Sequence, residues 1–350
     1  MTILLVLLSI VVVLLVWRHV PISTVDGAIV MAFGILLDGA LQRFSFLSDV
    51  AGPYLTTVLL AFLASLIAGY VRDAFQGTFY ERHLQHPIAS FATGTWVAAL
   101  SVAGVTIIKM MPELRGLAVV LFAFNLLLWS GYLLLIARNY WTILRRRELF
   151  AGAHGVLLLA CVSTQSIVVT GSSVFGDQFP VTASRVLIGL GLALYAMSAI
   201  FIVWRYLRFR PWNLAEHWTN TNCILHGALS ITGLACAVRG AASPSLIVAI
   251  WFAVFVLFLF VEGLEVLRAI QRVRRYGWKK GLFTYANTQW SRNFTFGMWL
   301  AFTMYVPTLG SMDPVRKSVL AIGPYAVILI FLFEAGLFLR SFAQELMEKE

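Results

Sequence analysis

Apolar residues run through this chain in long blocks separated by short polar connections. An N-terminal run covers residues 2–17. Ten more follow at about 27–44, 53–71, 88–108, 116–137, 154–173, 184–204, 220–238, 245–267, 293–309 and 318–339, numbered here as segments 1 to 10. Each is close to the ~20 residues that a helix needs to cross ~30 Å of hydrocarbon. The pattern predicts membrane-spanning helices joined as hairpins, with no soluble domain between them. The longest connection, about residues 268–292, is basic and aromatic and is expected to be a loop.

The cations fix an orientation. Nineteen of the 26 Lys and Arg residues lie at Arg18 or in the connections after segments 2, 4, 6, 8 and 10. The other side holds Arg43, Lys109, Arg115, Arg185, Arg239, Arg316 and Lys317. The excess of cations on cytosolic loops therefore puts the C-terminus and the even-numbered exits in the cytosol. Trp141, Trp204, Trp212, Trp218, Trp278 and Trp290 cluster near the same ends and are expected to anchor at the lipid–water interface. Run 2–17 lacks a preceding basic stretch and a small-residue cleavage site, so it reads as a retained anchor (1–20) with its N-terminus outside. Residues 343–350 read as a cytosolic tail.

Composition agrees with a lipid solvent. At 60% hydrophobic and 12% charged residues, the chain is far from soluble domains, where about a quarter of residues are charged. In a soluble protein a net charge of +10 would suggest nucleic acid, but here the cations sit at membrane exits beside anionic headgroups. Nucleic acid is not an expected partner. Cys161, Cys223 and Cys236 lie inside apolar segments without metal-ligand spacing and read as small core residues.

A second rhythm overlies the first. Odd segments hold most of the intramembrane Ser, Thr, Asn, Gln and His, with segment 5 the richest (His154, Ser163, Thr164, Gln165, Ser166, Thr170, Ser172, Ser173). Polar side chains in hydrocarbon need partners or water. Five inner helices around a path, sheathed by five outer helices, satisfy that need. The alternative is that Ser and Thr merely allow helices to pack closely.

Four strings fall one per odd segment: FATGTW (Phe91 to Trp96), VSTQS (Val162 to Ser166), HGALSI (His226 to Ile231) and WSRNFTFGMW (Trp290 to Trp299). In this order, and with ten helices starting and ending inside, the chain resembles the tellurite-resistance and dicarboxylate transporter family. That family includes tellurite-resistance permeases, malate and sulfite carriers and the slow anion channel of guard cells. The resemblance covers about residues 25–342. It implies an all-α polytopic membrane protein with a ten-helix core of five hairpins around a central pore, to which the extra N-terminal helix is added. It further implies a homotrimer at the plasma (or inner) membrane with a pore in each subunit for small anions. The family pore is occluded by a phenylalanine on the ninth helix, and Phe294 matches it, with Phe296 the neighbouring candidate. The chain departs from the family at Thr295, where proline is usual, and at Arg292, where an apolar residue is usual.

Candidate pore-lining residues are Thr95, Ser163, Gln165, Ser230 and Thr295. Arg292 is either a flank that snorkels to the interface or a cation at the inner pore mouth. Asp38, mid-segment on an inner helix, is expected to couple protons, to pair with a cation or to stay protonated. Glu262 and Glu265 read as ion pairs at the end of segment 8, and Glu334 as a residue that orients segment 10.

The leading expectation is an anion channel or transporter, with a proton-coupled carrier of a dicarboxylate or tellurite-like oxyanion as the alternative. From another class, His154 and His226 suggest axial haem ligands, although membrane cytochromes commonly carry His pairs on the same helices. No catalytic motif is present, and the reading calls for no metal and no cofactor.

Overall fold

The computed structural model describes Val13, residues 20–209 and residues 213–347. The anchor expected at 2–17, Val13 apart, lies outside the described residues, as do Trp212 and the last three residues of the tail.

Each segment from 1 to 10 forms a helix: α1 (Thr24–Arg43), α2 (Ser45–Phe75), α3 (Ala89–Met110), α4 (Pro112–Arg145), α5 (Gly155–Gln178), α6 (Val181–Arg208), α7 (Asn220–Arg239), α8 (Pro244–Leu282), α9 (Trp290–Tyr305) and α10 (Gly310–Gln344). Among the described residues, nine are long and apolar enough to cross a membrane. The remaining one is α9, which has 16 residues and begins with Trp290, Ser291, Arg292 and Asn293. Such a helix tolerates polar residues because protein rather than lipid surrounds it. The chain is an all-α, multi-pass membrane protein.

Odd and even helices occupy different layers. In α1, α3, α5 and α7, 78–89% of the most apolar stretch is buried, against 22–39% in α2, α4, α6, α8 and α10. The inner helices touch in a closed ring: α1 meets α3, α3 meets α5, α5 meets α7, α7 meets α9, and α9 returns to α1. Each outer helix lies across the joint between two inner ones. Thus α2 spans α1 and α3, α4 spans α3 and α5, α6 spans α5 and α7, α8 spans α7 and α9, and α10 spans α9 and α1. This is quasi-fivefold order.

Glycine sets the spacing of the ring. A Cβ on Gly34 of α1 would stand 2.0 Å from Val102 Cγ1 of α3, and one on Gly227 of α7 would stand 2.2 Å from Thr295 Cγ2 of α9. Gly104 faces Thr170, Gly155 faces the Thr221 carbonyl and Gly297 faces Ile35, so all five joints contain such an approach. Backbones this close gain dispersion contacts that larger residues would prevent, which drives helix association in lipid.

The outer helices overrun the hydrocarbon. Residues expected in a loop after segment 8 instead continue α8, which turns at Gly277 with φ 73°. Arg272 fastens the turn by donating from Nε to the Gly281 carbonyl at 3.1 Å. Apolar periodicity marks only the lipid-covered part of a helix, and this extension is basic and largely exposed. Part of the expected tail is likewise helical, since the helix of α10 continues past Gln344 to Met347.

The end where odd helices begin is the basic end. There Arg82 pairs with Asp73 at 2.8 Å, Arg138 donates to the Leu84 carbonyl at 3.1 Å and Arg205 to the Ala153 carbonyl at 2.8 Å. These cations tie loops together as well as marking topology. The tryptophans divide: Trp141, Trp204 and Trp278 are exposed as interface anchors should be, whereas Trp218 and Trp290 are buried. Trp218 donates to Glu265 at 2.9 Å and Trp290 to the Tyr285 hydroxyl at 3.0 Å. Burial with a partner for the indole N–H corrects the expectation for these two.

Candidate functional site: the axis of the five-helix ring

A cavity of about 50 Å³ lies inside the ring, toward the end opposite the basic one, and every inner helix contributes to its wall. Ile35 and Asp38 come from α1, Ser101 and Lys109 from α3, Ser166 and Thr170 from α5. The remainder of the wall is largely apolar, with Leu234 from α7 and Met298 and Ala301 from α9 among its members.

The wall residues of α9 define a stripe. Met298, Ala301 and Tyr305 recur at helical spacing, and one turn before Met298 the same stripe reaches Phe294. Phe294 is 2% exposed and belongs to the main apolar core. Phe294 thus lies one helical turn from the cavity wall, on the same face of α9 and toward the basic end. Arg292 and Phe296 lie about 200° around the helix from Phe294. Phe296 packs against Phe258 of α8, ring centroids 5.0 Å apart, and Trp299 continues that outward face with Phe258 at 4.2 Å.

A closed ring of five sheathed helices agrees with the comparison with known families. The model of the voltage-dependent anion channel family matches residues 25–340. The chain belongs to that family. No curated protein matches it. Family membership makes this a membrane channel or transporter for anions.

Within this anion-channel architecture, the hydroxyls and amides singled out from the sequence serve mainly as joints. Thr95 Oγ1 donates to the Ala92 carbonyl at 2.7 Å and lies against Gly27 of α1. Ser163 donates to Ala160 at 3.2 Å and Ser230 to His226 at 2.9 Å, each within its own helix. Gln165 points outward and donates to the Ile188 carbonyl of α6 at 3.2 Å. Thr295 packs on Gly227 and donates to the Arg292 carbonyl at 3.1 Å. None of these five belongs to the cavity wall given above. The residues that do, and that the sequence reading passed over, are Ser101, Lys109, Ser166, Thr170 and Ser173. The spacing 166, 170, 173 of small hydroxyl residues was the available signal on α5.

Arg292 is neither a lipid-interface flank nor a free cation at the mouth. Its Nη2 lies 2.9 Å from Glu265 Oε1 and its Nε 3.4 Å from Glu262 Oε2, both on α8. These contacts are close in distance but not aligned as hydrogen bonds. Glu265 also pairs with Arg268 at 3.3 Å, as the helical spacing suggests. Glu262 meets His226 Nε2 at 3.3 Å. Glu334 of α10 faces the side-chain amide of Gln289, whose nitrogen can donate to it at 2.8 Å. The cluster locks α7, α8 and α9 at the basic end, behind Phe294 rather than beside it. A sequence places Arg292 near a helix start but cannot show that carboxylates from another hairpin meet it.

His154 caps the start of α5, with Nδ1 2.8 Å from Thr221 Oγ1 and accepting from the Val156 amide at 3.3 Å. His226 faces Glu262 across the α7–α8 joint. The two histidines named as haem candidates are thus engaged in separate hydrogen bonds.

Proposed function

We propose that this chain conducts small anions along the axis of its five-helix ring, and that Phe294 occludes the path in the conformation described here. The observation that carries this reading is the α9 stripe, on which Phe294 continues the cavity wall of Met298, Ala301 and Tyr305. A bulky apolar ring at a constriction blocks ions because they cannot keep their hydration there. The wall beyond it is apolar with scattered hydroxyls, which favours weakly hydrated anions that shed water at low cost. Each subunit holds a complete ring, so each carries its own path, and the family resemblance suggests a homotrimer in the plasma or inner membrane. The cation ladder supports an orientation with the basic end in the cytosol.

The experiment is an anion-replacement series on protein reconstituted in liposomes, comparing chloride, nitrate, sulfate and a dicarboxylate. Flux favouring chloride and nitrate supports a channel for compact inorganic anions. Flux confined to the dicarboxylate and driven by a proton gradient supports the carrier reading, for which Asp38 in the cavity wall is the one favouring observation.

A further inference from the structure

Among the described residues lining the cavity, the charged ones are Asp38 and Lys109. They lie side by side without forming an ion pair. Lys109 Nζ donates to the backbone carbonyl of Asp38 at 2.9 Å, which leaves its remaining protons available. The Asp38 side chain sits on a π-helical turn, Leu36–Ala40, that interrupts α1. The residue is 6% exposed, and its Oδ1 is buried without a hydrogen-bond partner. π-turns of this kind are frequent at functional sites.

The hydroxyls of the wall are unequal. Ser166, Thr170 and Ser173 donate to carbonyls of Ser163, Ser166 and Val169, so their protons are used. Ser101 instead accepts from Asn125 Nδ2 at 2.8 Å, which leaves its own proton free to donate. Among the described wall residues, Ser101, Lys109 and the Tyr305 hydroxyl therefore keep protons for an anion in the cavity, and of these Lys109 alone carries a charge, with Ser101 two turns from it on α3. An ionised Asp38 in the same low-dielectric space competes with that anion for the Lys109 charge, and the cavity then carries no net attraction.

We propose that Lys109 and Ser101 form an anion-binding station on the far side of Phe294, and that Asp38 takes up a proton as the station fills. The inference rests on the anion-channel reading and adds a site and a ligand class, a compact monovalent inorganic anion. In the filled state the ammonium, the anion and a neutral carboxyl occupy the cavity. One proton delivered by hydronium or a buffer acid forms the O–H bond of Asp38 as the donor's bond to it breaks, one anion enters, and no other bond changes. The elements packed against the π-turn are α2, α3, α9 and α10. Lys109 comes from α3 and Tyr305 from α9, while α10 presents apolar Leu320, Val327 and Ile328. On these elements Arg43, Asp49 and Tyr325 are exposed, Tyr54 of α2 is half-buried, and Asp313 of α10 pairs with Arg316 at 2.7 Å and Lys317 at 3.4 Å.

Protonation leaves the Lys109 charge uncompensated, so anions should concentrate in the cavity as the far side is acidified, by about tenfold. By linkage, anion binding must draw a proton in. The test adds nitrate to purified protein in weakly buffered detergent and measures proton uptake, then measures nitrate flux in liposomes at acidic and alkaline pH. Nitrate-dependent uptake in the unmodified protein, lost in Asp38→Asn and in Lys109→Gln but kept in Lys109→Arg, supports the station. Asp38→Asn should also hold flux near the acid level at every pH. Uptake that survives in well-folded Asp38→Asn, or a pH response shared by that variant and the parent, overturns the proposal. Absence of anion flux in every variant counts against the channel reading instead, while the detergent measurement, which needs no flux, still decides the station.

Discussion

At the residue scale, charge pairing across hairpins was hidden from the sequence while small-residue packing was partly open to it. Arg292 is the clearest case. Its partners Glu262 and Glu265 belong to α8, so nothing near Arg292 in sequence announces them. Replacing Arg292 with Gln removes the cation shared by two mostly buried carboxylates, leaving His226 on Glu262 and Arg268 and Trp218 on Glu265, a loss of up to about 3–5 kcal/mol. We expect Arg292→Gln to lose monodispersity and melt earlier in detergent, with substantial recovery when Glu262 and Glu265 are also changed to Gln. A wild-type melting temperature for Arg292→Gln alone would show that the cluster holds little.

Glycine packing gives a complementary test. A methyl on Gly34 must overlap Val102 across the α1–α3 joint. Overpacking of this kind costs about 1–3 kcal/mol. Gly34→Ala should therefore destabilise the protein, and Gly34→Ala with Val102→Ala should regain most of the loss because the obstructing Cγ1 is gone. Equal melting of all three chains would place the constraint elsewhere.

At the scale of elements, hydropathy located every helix from α1 to α10, and the excess of polar residues in odd segments marked the inner ring. That excess was legible because lipid-facing helices have little use for Ser, Thr and Asn. Its meaning was only half legible. Asn125 reaches from α4 to Val97 and Ser101 of α3, Trp251 of α8 donates to Thr303 of α9, and Gln165 reaches α6, so much of the polarity fastens inner to outer helices. Composition cannot separate a hydroxyl that joins helices from one that faces a path, since both need burial. The rotation of each helix decides, and only the partners on neighbouring helices set it. The extension of α8 to its turn at Gly277 was also hidden, because hydropathy falls where the helix leaves the lipid although the helix does not end.

At the scale of the whole molecule, two properties follow from the order of the hairpins. The first is orientation. The ladder of cations predicts that a single cysteine at Ser311, in a chain lacking Cys161, Cys223 and Cys236, reacts with a membrane-impermeant reagent from outside the cell. Those three cysteines are free and buried, so their removal clears the background. Labelling from the cytosolic side alone would invert the topology.

The second is the occlusion of the ring axis that we propose for Phe294. Phe294 was reachable from the sequence only through the family resemblance, since the chain holds 26 phenylalanines and none is marked by composition. The structure adds that Phe294 shares a stripe with the cavity wall while Phe296 faces Phe258. The central claim is tested by anion flux through liposomes carrying Phe294→Ala beside the unmodified protein, Phe296→Ala and Phe260→Ala, the last at a residue of α8 that is 60% exposed. Removing the Phe294 ring opens a gap that can wet without changing any charge. The account predicts that Phe294→Ala raises basal flux by about tenfold or more with anion selectivity retained, while Phe296→Ala and Phe260→Ala stay near the parent level. Well-folded Phe294→Ala protein that conducts no more than the parent would contradict it.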